Sequence, residues 1–450
     1  MTANFTNRTL WTGDNLDIMR GLNSESVDLI YLDPPFNSNQ EYSAPIGSEA
    51  AGAAFKDTWT LNDVDLAWHG LIAEEHPGLY RIIDAAGAAH GKGMKSYLIM
   101  MGVRLLEIHR VLKVAGAVYL HCDDTASHYL KMLMDSVFGD GNFKNEISWQ
   151  RFNFHADAKR FGRVCDRILF YTKSQAHNFN RLRVPFSEQY VSSKFTHQDP
   201  NGRRFRLDNL NPPAGRGPVY EFHGVTKAWR FTEEKMLALE SEGRIYTQSR
   251  VPQLKRFLDE LDGQAVHDNW HDIPPINSRA KERTGYPTQK PLALLERIIK
   301  ASSNEGDVVL DPFCGCATAL IAAEKLERQW VGIDISPAAK RLVKSRMERE
   351  LGLFGMQAIY RDDIPQRTDM GKLPSPQTHK HTLYGVQEGV CIGCKIMFPF
   401  KNMTIDHIVP QSKGGSDHIE NLQLLCGACN SMKGTKSQAE FLAALAQAGG

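Results

Sequence analysis

The stretch VVLDPFCGCATAL (308–320) decides the fold class, because an apolar strand-like run leads directly into a glycine-containing turn and an apolar helix-like segment. Asp311 ends the run, Gly315 allows a ligand to approach the backbone closely, and a helix N-terminus there would favour a carboxylate. Asp334 follows 23 residues later, at the spacing where an acidic side chain binds ribose hydroxyls. The stretch therefore predicts a nucleoside-cofactor site, without the GxGxxG pattern of dinucleotide enzymes.

Other apolar runs predict further strands of the same sheet, at 27–32, 117–121, 167–172 and 330–333. Their nearly continuous apolar sequences are typical of parallel strands covered on both faces. Apolar residues three and four positions apart predict helices at 101–112, 128–138, 292–302, 318–326 and 337–351. Alternation of strands and helices indicates an α/β, doubly wound, Rossmann-like domain.

Composition sets the limits of the interpretation. The 450 residues are enough for two to four domains, and 53 Lys and Arg against 52 Asp and Glu give a net charge of +1. Any nucleic-acid surface must therefore be local. The stretch MTANFTNRTLWTGD (1–14) has no apolar segment, so we expect no signal peptide. The most apolar window, 97–112, is interrupted by Arg104, Glu107 and Arg110, so we expect no membrane span and a cytoplasmic protein.

A long segment, 179–280, breaks the strand–helix alternation and predicts an inserted domain. Residues 181–260 hold 14 Lys and Arg, 10 Asp and Glu and ten aromatic residues. Basic residues interleaved with aromatic ones are typical of a nucleic-acid surface. A folded insertion with a solvated charged face is the alternative.

A second acidic strand end stands in DPPF (33–36), directly after the run 27–32. Ligands of open α/β sheets bind beyond the carboxyl ends of strands. For methyl transfer to an exocyclic base amine, Asp33 and the Pro34 carbonyl could accept hydrogen bonds that draw the nitrogen lone pair out of conjugation. Phe36 would offer a face to an unstacked base. A strand-ending turn without chemistry is the alternative.

The order of these motifs resembles that of a known family. GDNLDIM (13–19), DPPF, a long variable segment, YPTQKP (286–291), DPFCGCAT (311–318) and GIDIS (332–336) resemble the β class of amino-specific DNA methyltransferases, and DPPF with its NSN continuation is similar to type III modification subunits. The resemblance covers about residues 8–355. It implies double-stranded DNA as partner and S-adenosylmethionine as cofactor. It divides this part of the chain into a catalytic half (1–178), a target-recognition insertion (179–280) and a cofactor-binding half (281–360).

The resemblance also implies a role for each matching residue. Asp33, Pro34, Pro35 and Phe36 would hold the flipped target base. The cofactor would meet Asp14 at its adenine end, and Thr288, Gln289 and Lys290 at its methionine end, with the remaining contacts made by Asp311, Phe313, Gly315, Thr318 and Asp334. Cys314 and Cys316 stand where many relatives carry glycine or serine, and we interpret them as packing residues.

Asp33 favours adenine N6 as the methyl acceptor, because N4-cytosine enzymes more often carry serine there; cytosine N4 stays open. The Pro-Cys nucleophile of cytosine-C5 methylation is absent from the sequence. Amine methylation needs no histidine base, because the product can lose its proton to solvent. His69, His109, His121 and His128 share no spacing, and we interpret them as structural.

Two CxxC pairs lie near the C-terminus, Cys391 with Cys394 and Cys426 with Cys429, separated by 31 residues. In a reducing compartment such pairs indicate a metal site, not disulfides. Four thiolates predict a structural Zn²⁺ on which a small domain (384–450) depends for folding. The proline-containing segment 361–383 before it is predicted to be a linker.

The sequence between and after these pairs, with IDHIVP (405–410), KGGSDH (413–418), ENL (420–422) and NSMKG (430–434), resembles the HNH, or ββα-metal, endonuclease module. The resemblance implies that Asp406 and Asn430 bind Mg²⁺, that His407 activates water for attack on phosphate, and that Asn421 orients His407. A zinc-folded DNA-binding appendage without catalysis is the alternative.

Together these features predict a site-specific adenine-N6 DNA methyltransferase fused to a metal-dependent HNH endonuclease, acting in restriction-modification or phage defence, or in a phage. One alternative is a DNA-binding reader whose only activity is the nuclease. Another is a methyltransferase of protein glutamine, for which asparagine would be expected in place of Asp33. The sequence leaves open whether the protein forms a homodimer.

Overall fold

A computed structural model of the chain describes residues 2–36, 41–43, 54–56, 70, 72–152, 159–213, 216–277, 279–351, 358–369, 376–415, 417 and 419–448. The NSN continuation of DPPF at 37–39, His69 and His418 lie outside these described residues. The chain divides into two compact units, one of Met1–Asn180 with Asp268–Gly450 and one of Arg181–His267.

The secondary structure of the described residues is as follows. The strands are β1 (Thr9–Thr12), β2 (Val27–Leu32), β3 (Glu41–Ser43), β4 (Ala54–Lys56), β5 (Leu112–Cys122), β6 (Phe143–Gln150), β7 (Cys165–Thr172), β8 (Arg183–Val184), β9 (His197–Gln198), β10 (Arg204–Asp208), β11 (Val219–Phe222), β12 (Val225–Ala228), β13 (Ile245–Tyr246), β14 (Gln253–Phe257), β15 (Gln264–Ala265), β16 (Asn269–Trp270), β17 (Val308–Asp311), β18 (Gln329–Asp334), β19 (Ile359–Arg361), β20 (Met403–His407) and β21 (Leu422–Cys426). The α-helices are α1 (Asn15–Gly21), α2 (Pro77–His90), α3 (Lys92–Val111), α4 (Ser127–Phe138), α5 (Glu188–Lys194), α6 (Glu233–Ser241), α7 (Leu292–Ser302), α8 (Thr318–Lys325), α9 (Pro337–Leu351), α10 (Lys380–Val386), α11 (Gly427–Lys433) and α12 (Gln438–Ala448).

A nine-stranded sheet in the order β16-β6-β7-β5-β2-β17-β18-β1-β19 forms the centre of the first unit. All neighbouring strands run parallel except β7, which is antiparallel to both β5 and β6. The expectation of a parallel strand at 167–172 is therefore wrong in direction. Residues 168–171 are all buried, and a continuous apolar run reports this burial on both faces, not the direction of the strand.

All five predicted strands belong to this sheet, as β2, β5, β7, β17 and β18, and the predicted α/β fold is confirmed. Helices α7 and α9 have the predicted bounds, whereas α3 begins at Lys92, nine residues before its predicted start. Strand β1 was missed because its four residues, TLWT, contain no apolar run or alternation long enough to indicate a strand.

The register of the parallel strands brings several acidic residues to one edge of the sheet. Thr12 of β1 pairs with Asp334 of β18, and Asp311 of β17 pairs with Gly332 of β18. The carboxyl ends of β1, β17 and β18 therefore lie side by side, with β2 as the next strand. This edge is where the site residues collect. In the described part of the chain, every helix is too short or too polar to span a bilayer.

The second unit, Arg181–His267, has its own small core. A four-stranded sheet in the order β13-β14-β10-β9 accompanies the hairpin β11–β12. Buried Leu210, Trp229 and Met236 form part of its apolar cluster. The insertion was predicted at 179–280, but residues from 268 onward belong to the first unit, where β16 pairs with β6.

The C-terminal residues form a β-hairpin of β20 and β21 followed by α11 and α12, which is the predicted ββα order. Its apolar cluster contains Tyr384, Leu424, Phe441 and the paired cysteines. The start of the predicted linker is packed against the sheet domain: Arg361 ends β19, and Thr368 and Asp369 bind Asn23 and Ser24 through hydrogen bonds of 2.7–2.8 Å.

Candidate functional site

A cavity of about 390 Å³ opens at the carboxyl edge of the sheet. This volume lies within the range of roughly 300–1,000 Å³ that is typical of small-molecule sites. The cavity is lined by all thirteen residues predicted to hold the base or the cofactor, namely Asp14, Asp33, Pro34, Pro35, Phe36, Thr288, Gln289, Lys290, Asp311, Phe313, Gly315, Thr318 and Asp334. The structure therefore brings the residues of both predicted subsites into one space.

Asp33, at the end of β2, is held by Lys290. The Lys290 ammonium lies 2.8 and 2.6 Å from the two Asp33 carboxylate oxygens and 3.3 Å from the Thr288 carbonyl oxygen. The Lys290 side chain is 6% exposed and that of Asp33 18% exposed. Because each carboxylate oxygen has more than one acceptor position, Asp33 can still accept a hydrogen bond from a ligand.

The turn between β17 and α8 has an unusual backbone. Gly315 has a φ of +46°, and Ala317, which precedes α8, has a φ of +61°. A Cβ atom at Gly315 would lie 3.0–3.1 Å from the Tyr286 ring. Glycine at this position therefore permits both the left-handed backbone and the close packing of Tyr286 on the turn.

Two carboxylates flank this turn, of which Asp311 is buried and Asp334 half-buried. Asp334 accepts hydrogen bonds from the Gly315 and Ser336 amides at 2.8 Å each, and Asp311 accepts one from the Phe313 amide at 3.1 Å. Burial raises the pKa of Asp334, and burial with the nearby carboxylates raises the pKa of Asp311 well above its ordinary value. A cation or a hydroxyl donor in the cavity would therefore stabilise the ionised forms.

The charge around the cavity favours a cationic ligand. Among the described residues, its lining includes four aspartates, at positions 14, 33, 311 and 334, and two cationic residues, Arg104 and Lys290. Their formal sum is two negative charges. S-adenosylmethionine carries a sulfonium centre and two ribose hydroxyls, so the donor set fits that cofactor.

Arg104 is a site residue that the sequence analysis did not assign. It projects from α3 and donates to Asp14 Oδ1 at 2.8 Å and to Asn15 Oδ1 at 2.6 Å. Asp14 also accepts a hydrogen bond from the Leu16 amide and caps α1. The contact depends on the packing of α3 beside α1, and no local motif signals it. Tyr31, Met100 and Leu295 are further unassigned lining residues.

The four C-terminal cysteines form one cluster, with all their sulfur atoms within 4.8 Å of one another. Zn–S bonds of about 2.3 Å in a tetrahedron place sulfur atoms about 3.8 Å apart. The Cys394 and Cys426 sulfurs lie 4.0 Å apart. A Cβ at Gly393 would come within 2.8 Å of the Cys429 sulfur, so the first CxxC pair requires glycine there. The cluster fits a structural zinc ion.

The predicted nuclease residues lie on the neighbouring hairpin. His407 Nε2 lies 2.8 Å from Asp417 Oδ1. Asn421 accepts a hydrogen bond from the Val409 amide at 2.9 Å and donates one to the Val409 carbonyl at 3.0 Å, which fixes the loop directly after His407. Asp417 is a partner of His407 that the sequence analysis did not assign.

The predicted magnesium ligand Asp406 has other partners in this structure. Lys433 Nζ lies 2.8 Å from Asp406 Oδ2, and Gln423 Nε2 donates to the same oxygen at 2.9 Å. Lys433 is wholly buried and lies on α11, three residues after Asn430. A magnesium ion at Asp406 would have to compete with this ammonium group for Oδ2. The Mg²⁺ assignment stays a prediction.

Comparison with known proteins agrees with this architecture. Residues 27–345 match a family model described as DNA methylase, and residues 391–445 match one described as HNH endonuclease. Type II methyltransferase M.EcaI of Enterobacter cloacae is 29% identical over 356 residues, which cover 76% of this chain and 69% of that protein. The Mod subunit of the type III restriction-modification enzyme StyLTI of Salmonella typhimurium is 28% identical over 344 residues, 71% of this chain and 50% of the subunit.

A further relative and a solved structure extend the comparison. DNA adenine methyltransferase YhdJ of Escherichia coli is 25% identical over 332 residues, which cover 73% of this chain and 79% of that protein. The crystal structure of a DNA modification methylase from Thermus thermophilus, complexed with S-adenosyl-L-methionine, aligns with a TM-score of 0.41 and 17% identity over 79% of this chain and 98% of that one. Since the matched family model extends from β2 into α9, the chain belongs to the DNA methylase family and carries an HNH domain at its C-terminal end.

Proposed function

We propose that the chain transfers a methyl group from S-adenosylmethionine to adenine N6 at a specific DNA sequence, and that its HNH domain cleaves DNA. The observation that best supports methyl transfer is the shared cavity. It places Asp33 of DPPF in the same space as the glycine turn with Asp311 and Asp334. A base acceptor and a nucleoside donor could therefore meet without a rearrangement of the sheet.

The proposed cofactor residues follow the lining of the cavity. Asp334 would bind ribose hydroxyls, Asp14 would lie at the adenine end, and Thr288 and Gln289 would lie at the methionine end. When bound, S-adenosylmethionine supplies an electrophilic methyl group. The acidic lining, to which Asp311 belongs, suits its sulfonium centre.

The chain's own residues would prepare the acceptor amine. Asp33 accepts a hydrogen bond from the N6 amino group, and the Pro34 carbonyl accepts another, which draws the nitrogen lone pair out of the ring system. Lys290 holds the Asp33 carboxylate in one orientation. Phe36 presents a ring against which the extruded base stacks. The amine proton leaves to solvent after transfer.

Adenine N6 is the proposed acceptor because the first position of DPPF is aspartate and because the Escherichia coli relative is named as a DNA adenine methyltransferase. Cytosine N4 is the second candidate, since the same family chemistry serves both exocyclic amines. A single measurement distinguishes the two acceptors: nucleosides from digested DNA contain either N6-methyladenine or N4-methylcytosine.

The test is single-molecule sequencing of genomic DNA from cells with and without the chain, supported by transfer of a tritiated methyl group to DNA in vitro. We expect a modified adenine in one recurrent sequence. Asp33→Ala should lower transfer by about 10²–10³-fold. Its cofactor affinity should stay near that of the unaltered chain. Near-normal transfer by this variant would contradict the assigned role of Asp33, and a modified cytosine would select the second candidate.

For the HNH domain we propose a zinc-supported nuclease. His407 would act as the general base, oriented by Asp417 and by the loop that Asn421 fixes, and Asp406 with Asn430 would bind Mg²⁺. The bond from His407 Nε2 to Asp417 supports this proposal, because a carboxylate partner fixes the orientation of an imidazole ring. Methylation and cleavage in one chain are consistent with restriction-modification or phage defence.

A further inference from the structure

We infer that His121 is a positioning residue of the target-base site, which supports the Phe36 ring from below while Tyr31 and Asp166 hold its imidazole in place. The inference rests on the proposed methyl transfer to a base. It assigns a function to a buried histidine that the reaction scheme above does not use.

Three adjacent strands supply the hydrogen-bonded set. Tyr31 lies on β2, His121 on β5 and Asp166 on β7, and β5 pairs with both of the other strands. The Tyr31 hydroxyl lies 2.9 Å from His121 Nδ1, and His121 Nε2 lies 3.0 Å from Asp166 Oδ2. His121 is 0% and Asp166 1% exposed. All three polar groups are therefore paired away from solvent.

The hydrogen bonds indicate which imidazole nitrogen carries the proton. Burial opposes ionisation of Asp166, but its hydrogen bond from His121 and the nearby positive charges outweigh burial and lower its pKa. An ionised carboxylate can only accept hydrogen bonds, so His121 Nε2 donates to Asp166, while the Tyr31 hydroxyl is hydrogen-bonded to Nδ1. This arrangement fixes both edges of the imidazole ring.

The imidazole also packs against the aromatic rings of Phe36 and Trp149. The Phe36 ring stacks on His121 with a centroid distance of 5.8 Å and an interplanar angle of 20°. The Trp149 ring meets His121 edge-on at 5.7 Å, and its indole nitrogen donates to the Ile273 carbonyl at 3.0 Å. Phe36 lines the cavity, and His121 does not. The imidazole therefore acts as a fixed layer beneath the ring that would receive the base.

Only histidine combines these properties at position 121. Phenylalanine would keep a ring under Phe36 but would remove the hydrogen-bond partner of the Tyr31 hydroxyl and of Asp166 Oδ2. The buried Asp166 carboxylate would keep the Arg151 guanidinium, 3.4 Å from Oδ1, but the loss of a hydrogen bond to a buried charged group is costly. Asparagine could keep a polar bond but offers no ring for stacking. Loss of either property should let Phe36 move, and small displacements of a reacting group have large effects on rate.

The experiment compares Tyr31→Phe and His121→Asn with the control Tyr119→Phe. Tyr119 is the register partner of Tyr31, is equally buried at 2% exposure, and binds the Ser302 hydroxyl at 2.7 Å outside the set. Three quantities are measured: methyl transfer at saturating cofactor, cofactor affinity by calorimetry, and fluorescence of 2-aminopurine at the target base. Together they separate base positioning from a general loss of structure.

We expect His121→Asn to lower transfer by on the order of 10- to 100-fold and to change the 2-aminopurine signal. Tyr31→Phe should change the transfer rate and the 2-aminopurine signal in the same direction by a smaller factor. Cofactor affinity should stay within twofold of that of the unaltered chain in both variants. Tyr119→Phe should match the unaltered chain in all three measurements. If His121→Asn fails to fold, the Tyr31→Phe variant tests the inference, because it keeps the aromatic ring at position 31 and removes only the hydroxyl that binds His121.

Two outcomes would contradict the inference, and they differ in what they say about the proposed function. If the unaltered chain methylates DNA and Tyr31→Phe gives the transfer rate and fluorescence of Tyr119→Phe, the inference is wrong while the proposed function stands. If the unaltered chain transfers no methyl group to any DNA, the proposed function fails and the inference fails with it.

Discussion

Lys290 Nζ lies 2.6 Å from one carboxylate oxygen of Asp33 and 2.8 Å from the other, across 257 positions of sequence. The ion pair joins DPPF, which follows β2, to YPTQKP, which precedes α7. It also places the Lys290 ammonium 5.2 Å from the centre of the Phe36 ring. The residues predicted for the base and for the methionine end of the cofactor are thus in direct contact.

The first prediction concerns this ion pair. Lys290→Met should lower the rate of methyl transfer by on the order of 10- to 100-fold, because Asp33 loses the partner that orients it. Cofactor affinity should change less than threefold. Lys300→Met is the control, since Lys300 lies on α7 and, among the ion pairs of the described residues, pairs only with Glu296 on the same helix. The measurements are tritium transfer at saturating cofactor and calorimetry. A large loss of affinity with an unchanged rate would show that Lys290 serves the cofactor and not Asp33.

The second prediction makes Asp334 the ribose ligand. Asp334→Ala should weaken S-adenosylmethionine binding and leave the fold intact, because the carboxylate lies at the end of β18 inside the cavity. Asp307→Ala is the matched control: Asp307 also binds a backbone amide, that of Asn304, but it lies before β17 at the opposite edge of the sheet. Titration calorimetry and circular dichroism measure the two effects. Equal affinities for the variant, the control and the unaltered chain would place the cofactor elsewhere.

These positions show what could be predicted from sequence. Asp311 and Asp334 follow apolar runs directly, and Gly315 stands in a local turn, so a window of a few residues contains the whole signal. Arg104 and His121 contribute through contacts between elements far apart in sequence. Arg104 reaches Asp14 only because α3 packs beside α1, and His121 meets Asp166 only because β7 turns antiparallel to β5. No local pattern reports such contacts.

The third prediction assigns sequence recognition to the unit Arg181–His267. Its separate apolar cluster, with Trp229 fully buried, suggests that it can be exchanged as a whole. A chimera that carries the corresponding unit of a relative should methylate the relative's target sequence. Sequencing of modified genomic DNA identifies the target. An active chimera that keeps the original target would assign recognition to the remainder of the chain.

The fourth prediction concerns the zinc site. Cys391→Ser should unfold the C-terminal HNH domain (384–450), because four thiolates around zinc supply much of the folding free energy of a small domain. Zinc content by mass spectrometry and proteolysis of the C-terminal residues measure this effect. Cys165→Ser is the control, since Cys165 lies on β7 and outside the cluster. A Cys391→Ser protein with full zinc content and resistance to protease would refute the structural role.

The fifth prediction separates structural metal from cleavage. His407→Ala should keep the C-terminal HNH domain folded and zinc-loaded, because His407 is not part of the four-cysteine cluster. The same variant should stop cleavage of DNA, because it removes the general base. Methyl transfer should be unaffected, since the described cavity residues lie between positions 13 and 336, outside the C-terminal residues. His177→Ala is the control, because His177 is half-buried, its ring binds the nearby Gln175 carbonyl at 3.0 Å, and it lies outside the C-terminal residues.

Cleavage is assayed on methylated and unmethylated duplexes with magnesium or manganese, and zinc content and methyl transfer are measured on the same preparations. Cleavage by the unaltered chain and by His177→Ala, with none by His407→Ala, would support the nuclease assignment. Normal cleavage by His407→Ala would exclude His407 as the base. If the unaltered chain cuts neither duplex with either ion, the HNH domain is a binding appendage, and the buried ammonium of Lys433 at Asp406 offers a physical reason for weak metal binding.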